Sequence, residues 1–471
     1  MKKDRFKNQR REVKSLVLNF EAMDKKGDSR YYDVDQLETI IDFYLETADH
    51  DMLEKSVQYS EKLFPDSTEI KLRRVHLLHL QERYDEALSI LKQLEQLEPD
   101  DTDVLYALGM VYSALDQPRK AIQYYHKATV DGFELGIVYS NIADEYVKMD
   151  QRAEARNYYR KALRINPNDE HSIYQLANCY EADGLVEQWI KYFQRFIEDN
   201  PYSKTGWFCL GEAFVAEELY ERAIDAYQYA IAIDAEYYYA YTQMASCQMA
   251  LNKPDEAVAA MHEACNHTED KATVYFQIGE IFRSQNNVQT AATYYRKAIN
   301  EDSFFAEAWN ALASCYGIMQ DYSTAIDCSK RALRIDPESP SYLTTLALIY
   351  AEIGDHENAD RFFNLAIPFY TDFEQGWLAL ADYKIMLEKY DDAIDILNKG
   401  LLNCELVLEF NKRLALCYYH TGRRNMLFNA VRACIYDNEN GAFDLLGYCP
   451  ALGYDIDVLS IINSHIQEKN K

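Results

Sequence analysis

The sequence predicts an all-α fold: a right-handed α-α superhelix, or solenoid, of about twelve 34-residue helix-turn-helix repeats closed by capping helices. Three observations predict it. A chain of 471 residues exceeds one ordinary core, which splits beyond roughly 250–300 residues, so it forms several domains or an elongated array. Laid out at a period of 34, it aligns with itself from Val34 to Gly441 with no insertion or deletion, in units starting at 34, 68, 102, 136, 170, 204, 238, 272, 306, 340, 374 and 408. Within each unit, apolar residues fall twice at helical spacing.

Helix A comes first. Positions 4, 7, 8 and 11 of a unit are apolar or small, as in Trp309, Leu312, Ala313 and Tyr316, which is one face of an α-helix. Helix B repeats the device at positions 20, 24 and 27, as in Ala155, Tyr159 and Ala162. Position 8 is Gly or Ala in ten of twelve units (Gly109, Gly211 and Gly279 among them), and position 20 is Ala in nine. A missing side chain lets two helix axes approach, and aromatics at positions 11 and 24, such as Tyr112 and Tyr125, fill the space around the contact. Between the helices, position 15 is Gly184, Gly354, Gly422, Asn252, Asn286, Asp116 or Asp150, residues that accept a left-handed helix end. Pro118 and Pro254 open helix B, and Pro65, Pro99, Pro167, Pro201 and Pro337 close it.

Segments such as LGMVYSALDQPRKAIQYYHKA and WNALASCYGIMQDYSTAIDCSKRALRIDP carry most of these positions, and the pattern resembles the tetratricopeptide repeat family over about 408 residues. Units 34, 68 and 408 depart most: Leu53 and Leu427 replace Ala at position 20, and Lys71 and Asn411 occupy position 4. Unit 170 departs in another way, with Trp189 at position 20 and Phe196 at position 27. Such bulk either spreads the helices locally or is absorbed by shrinkage of its neighbours. The expected organisation is a basic capping helix in 1–33 (around Arg11–Met23), the array over 34–441 and a closing segment in 442–471. In that last segment Gly447, Pro450 and Gly453 break the pattern, and Ile456, Leu459, Ile462 and Ile466 outline a final amphipathic helix.

Composition narrows function. With 48% hydrophobic and 27% charged residues, 16 Gly and 10 Pro, the chain is neither disordered, collagen-like nor a disulfide scaffold. Forty-nine basic against 77 acidic residues give a net charge of -28, which opposes nucleic acid and acidic membrane surfaces. The first thirty residues hold ten Lys or Arg and five Asp or Glu, which reads as a solvated helix or as a lipid or nucleic-acid arm. Leu16–Leu18 is too short for a secretory core, and no stretch approaches the ~18 apolar residues of a membrane span, so a cytoplasmic protein is expected.

The ten cysteines (Cys179, Cys209, Cys247, Cys265, Cys315, Cys328, Cys404, Cys417, Cys434 and Cys449) contain no Cys-x-x-Cys and read as reduced. Four of them share position 10 of their units. His262, Cys265 and His267, and separately His76 and His79, are the densest metal-like groups, yet neither offers four ligands, so no metal or cofactor is expected. No phosphate loop, nucleophile elbow or zinc-protease motif occurs, and no enzyme is expected.

A binding surface remains. In the proteins the sequence resembles, helix A lines a concave groove through positions 2, 5, 9 and 12. Carried over, the resemblance implies a groove of Tyr106, Ser140, Asp144, Tyr174, Asn178, Phe208, Glu212, Tyr239, Thr242, Ser246, Phe276, Glu280, Arg283, Asn310 and Ser314. Rings and hydrogen-bonding groups suit an extended peptide, and Asp144, Glu212 and Glu280 point to a segment with some positive charge. Family members that grip a peptide's terminal carboxylate use a basic cluster; Arg283, Asn178 and Asn310 do not form one. The expected function is a protein- or peptide-binding scaffold. The alternative is a regulator whose groove takes a small molecule or signalling peptide and changes shape on binding.

Overall fold

The computed structural model describes residues 2–27, 29–129, 135–369, 373–403, 407–436 and 440–469. Cys404 and the side chain of Ile466 lie outside the described residues. The described residues form α-helices, short 3-10 turns and connecting segments, with no strand. They divide into two compact units, 1–240 and 241–471.

In the first unit α1 (Lys2–Lys26) precedes six hairpins: α2 (Val34–Glu46) with α3 (His50–Leu63), α4 (Thr68–Leu80) with α5 (Tyr84–Leu97), α6 (Thr102–Ala114) with α7 (Pro118–Ala128), α8 (Leu135–Lys148) with α9 (Arg152–Ile165), α10 (Glu170–Ala182) with α11 (Val186–Asp199), and α12 (Lys204–Ala216) with α13 (Tyr220–Ile233). Helix α14 (Tyr238–Ala250) begins in the first unit and continues into the second. There follow α15 (Pro254–Asn266), then α16 (Lys271–Ser284) with α17 (Val288–Glu301), α18 (Ala306–Ile318) with α19 (Tyr322–Ile335), α20 (Pro340–Ile353) with α21 (His356–Ala366), α22 (Glu374–Met386) with α23 (Tyr390–Leu401), and α24 (Val407–His420) with α25 (Arg424–Tyr436). Helices α26 (Gly441–Tyr448) and α27 (Ile456–Lys469) end the chain. Within each unit a helix packs on its neighbours in sequence, which is an α-solenoid of helix-turn-helix repeats.

The repeated small positions work as spacing devices. A Cβ on Gly211 would stand 2.4 Å from the ring of Tyr227, and one on Gly279 would stand 2.5 Å from Tyr295. Ala155, Tyr159 and Ala162 are all fully buried. Several helix starts are capped by a short polar side chain that precedes them: Asp33 and Gln36 form a reciprocal capping box on α2, and Asp101 accepts from the Val104 amide (2.9 Å) on α6.

At the ends, Val17, Phe20 and Met23 of α1 are buried with Leu37 and Ile40 of α2. In the closing segment Leu445, Leu452, Val458 and Ile462 join the terminal core. The buried stripe of α27 therefore runs through Val458 and Ile462, not through the expected Ile456 and Leu459; Ile456 is exposed and Leu459 half-buried. Arg424 sets that phase, since its guanidinium pairs with Asp455 and Asp457 at the start of α27.

In unit 170, Trp189 and Phe196 are both buried. Helix α11 touches α10 less closely than in any other hairpin of the first unit, as overpacking predicts. Phe196 is accommodated against Gly206 of α12, where a Cβ would meet its ring at 2.9 Å. Both expected responses to the bulk thus occur together.

Candidate functional site

In the first unit, side chains from three successive A helices converge. Tyr174 of α10 and Tyr237, just before α14, share a hydrogen bond between their hydroxyls. Their rings stand 6.1 and 5.4 Å from Phe208 of α12, which is itself buried and forms the floor. Tyr237 is 6.3 Å from Tyr239, which is half exposed (52%) and lies 4.0 Å from Tyr238. Lys204 completes the group, with Nζ 5.2 Å from the Tyr237 ring, 2.8 Å from Asp234 and 3.6 Å from Glu170. The hydrogen bond to Asp234, with Glu170 beside it, holds the Lys204 ammonium above its ordinary pKa, so it is a fixed cation. The result is a patch of tyrosine faces around one amine and two carboxylates.

The other expected positions of this unit are less available. Ser140 is buried and accepts a hydrogen bond from Ser172 (2.9 Å). Tyr106 is half-buried and accepts from the Asn141 amide (2.9 Å), while Asn178 is exposed. Asp144 accepts from Tyr159 (2.5 Å) and lies 2.9 Å from His171 Nε2. Glu212 accepts from Tyr227, and burial pushes its carboxyl above the usual range.

The second unit repeats the motif. Glu280 accepts from Tyr295 (2.5 Å) and pairs with Arg283 (2.5 Å), whose side chain is otherwise exposed. Phe276 lies 5.6 Å from Tyr295 and 5.1 Å from Phe305. Ser246 and Ser314 hydroxyls donate to the Thr242 and Asn310 carbonyls of their own helices (3.1 and 3.2 Å), and Asn310 Oδ1 is buried without a hydrogen-bond partner. Thr242 is half-buried.

The three carboxylates read as groove charge therefore act alike within their hairpins. Each ties position 9 of helix A to the tyrosine hydroxyl at position 24 of helix B. Sequence reasoning missed Lys204, and Tyr237 stood out only as part of a tyrosine cluster, not as a groove residue. Tyr237 is the last residue of its unit, outside the helix A positions searched, although its place in the run Tyr237–Tyr239 was a visible signal.

The metal-like groups stay apart. His262 is within 3.0 Å of the Tyr294 hydroxyl, His267 stacks on Tyr241 and Cys265 is buried. His76 and His79 are half-buried rather than solvated. Burial holds both imidazoles below their ordinary pKa, with the Arg73 cation adding to the effect at His76. Among the described residues no three His, Cys, Asp or Glu side chains converge as metal ligands, and no helix is long and apolar enough to cross a membrane.

Family models described as tetratricopeptide repeat match residues 78–131, 137–169, 171–203, 190–238, 243–310, 306–339 and 340–367, together more than half of the chain. Among curated proteins, the TPR repeat-containing protein YpiA of Bacillus subtilis is 23% identical over 77% of this chain and 79% of its own length. Anaphase-promoting complex subunit 3 of Schizosaccharomyces pombe is 23% identical over 55% of this chain, which spans 39% of that protein. The BBSome complex member BBS4 of Bos taurus is 18% identical over 82% of this chain and 74% of its own.

Proposed function

Because this chain belongs to the tetratricopeptide repeat family, we propose that it is a non-enzymatic scaffold that binds an extended segment of another protein on its helix A surface. The observation that carries this reading is the patch of Tyr174, Phe208, Tyr237, Tyr239 and Lys204. Tyrosine rings offer large contact area at low entropic cost and a hydroxyl for backbone groups, which is why they recur as binding hot spots. The same positions in the second unit, around Phe276, repeat the aromatic character. Two relatives named as members of multiprotein complexes favour an assembly role.

The partner segment carries positive charge in this reading. The attraction comes from the field of a chain with net charge -28 rather than from Asp144, Glu212 and Glu280, which already serve tyrosine hydroxyls. The nine described cysteines are all buried, and the sequence has no Cys-x-x-Cys, which fits a reducing compartment such as the cytoplasm.

The test is a pull-down comparing wild type with a Tyr239→Ala, Phe276→Ala variant, after thermal unfolding has shown that both are folded. Loss of a partner from the variant alone supports the helix A surface. Equal retention by both moves binding elsewhere.

A further inference from the structure

Four arginines occupy one stripe of α9: Arg152, Arg156, Arg160 and Arg164, each four residues from the next and so on neighbouring turns. The first two are neutralised. Arg152 lies 2.6 Å from Asp150 and 3.5 Å from Asp183, and Arg156 pairs with Asp183 and donates to the Cys179 carbonyl. The last two are not: among the described residues neither Arg160 nor Arg164 has a carboxylate within ion-pair distance. The same holds for Arg195 of α11. Three guanidinium groups without a carboxylate partner thus lie on α9 and α11 of a chain that has 77 acidic residues.

These three arginines line a cleft of about 510 Å³ between α9 and α11, together with Tyr192, Phe196 and a single carboxylate, Asp199. Arg160 is preset. Its guanidinium donates to the Tyr180 hydroxyl and sits 5.5 and 5.3 Å from the Tyr180 and Tyr192 ring centroids. Its Nε is buried without a hydrogen-bond partner. The cleft also falls at the hairpin loosened by Trp189 and Phe196, so the irregular unit 170 and the unpaired cations coincide.

We propose that this cleft docks an acidic peptide segment, on helix B side chains and separate from the helix A patch. Guanidinium forks match carboxylates in paired hydrogen bonds, and an arginine already stacked on two rings loses little freedom when it binds. Tyr192 and Phe196 provide an apolar side for a hydrophobic residue between the acids. Binding also relieves the mutual repulsion of three cations held together.

The test uses the full chain and fluorescence anisotropy at low ionic strength. The probe is a labelled peptide alternating Glu with Leu, compared with its Gln counterpart and with a labelled single-stranded oligonucleotide. The expected result is binding of the Glu peptide at least roughly tenfold tighter than the Gln peptide, and a loss of roughly tenfold on Arg164→Ala with Arg195→Ala. Both residues are exposed, so the fold should survive, and Arg164→Lys with Arg195→Lys should fall between because it keeps charge but not the fork. A Lys330→Ala, Arg334→Ala variant, which removes two exposed cations from α19, should bind as wild type. Equal affinity for the Glu and Gln peptides, tighter binding of the oligonucleotide, or equal loss in the α19 variant would each overturn the assignment.

Discussion

Glycine, tyrosine and a carboxylate form the smallest working part of this protein. In units 204 and 272 the glycine at position 8 lets the tyrosine ring at position 24 lie on the helix backbone, and the next residue, Glu212 or Glu280, takes its hydroxyl. Gly211→Ala should destabilise by about 1–3 kcal/mol, because a fully buried Tyr227 ring has nowhere to yield. Gly136→Ala is the control: its Cβ would meet nothing nearer than 3.6 Å, so only a small gain in helix propensity, under about 1 kcal/mol, is expected. Urea midpoints of the two variants separate these cases, and equal midpoints would reject the spacing role. Tyr227→Phe should cost about 1–3 kcal/mol, since it leaves the part-buried Glu212 carboxyl without its donor. The sequence showed the small residue and the ring as periodic positions. It did not show the hydroxyl-to-carboxylate bond, because that depends on how the two helices tilt, and so Asp144, Glu212 and Glu280 read as groove charge.

At the scale of the helical hairpin, the turn decides. Position 15 has positive φ in every unit: Ala48, Glu82, Asp116, Asp150, Gly184, Glu218, Asn252, Asn286, Gln320, Gly354, Glu388 and Gly422. Only seven of these are Gly, Asn or Asp, so composition alone revealed the turn in little more than half of the units. The other five are held there by the hydrogen bonds that close the helix. At Glu218, for example, its own amide donates to the Val215 carbonyl (2.9 Å) and the Leu219 amide donates to Phe214 (2.8 Å). Packing of the next helix overrides the side chain's preference. Gly184→Ala should therefore lose roughly 1–2 kcal/mol from backbone strain alone, since a Cβ there meets nothing within 4 Å. Gln320→Gly should recover up to about 1 kcal/mol by the same reasoning. Chemical denaturation reads both, and a stabilised Gly184→Ala would contradict the account.

Over the whole chain, a period repeated twelve times made the fold legible, since weak positions add in phase. Phe208 and Phe276 of the proposed helix A surface share a position of the period, but nothing in it marks Tyr237, Lys204 or the arginines of α9 and α11. What does recur is burial of ionisable groups that must stay neutral. Burial pushes the thiols of Cys179, Cys315 and Cys328 from 9.0 up to about 11, and those of Cys417 and Cys434 up to about 12. It pushes the Tyr192 and Tyr342 phenols from 10.0 up to about 12. A pKa raised by folding means that the native state holds its proton longer than the unfolded chain does. The stability tied to each protonated thiol is fully present below pH 9.0, falls as the unfolded thiols ionise above it, and is lost as pH rises through the folded values of about 11 and about 12. Urea midpoints should thus be insensitive to these groups at neutral pH and fall steeply above pH 9. Cys417→Ala with Cys434→Ala should begin less stable, through the cavities it leaves, yet lose less between pH 9 and the folded values, because the two most shifted of these thiols are gone. An alkaline slope identical to wild type would show that these thiols do not govern it.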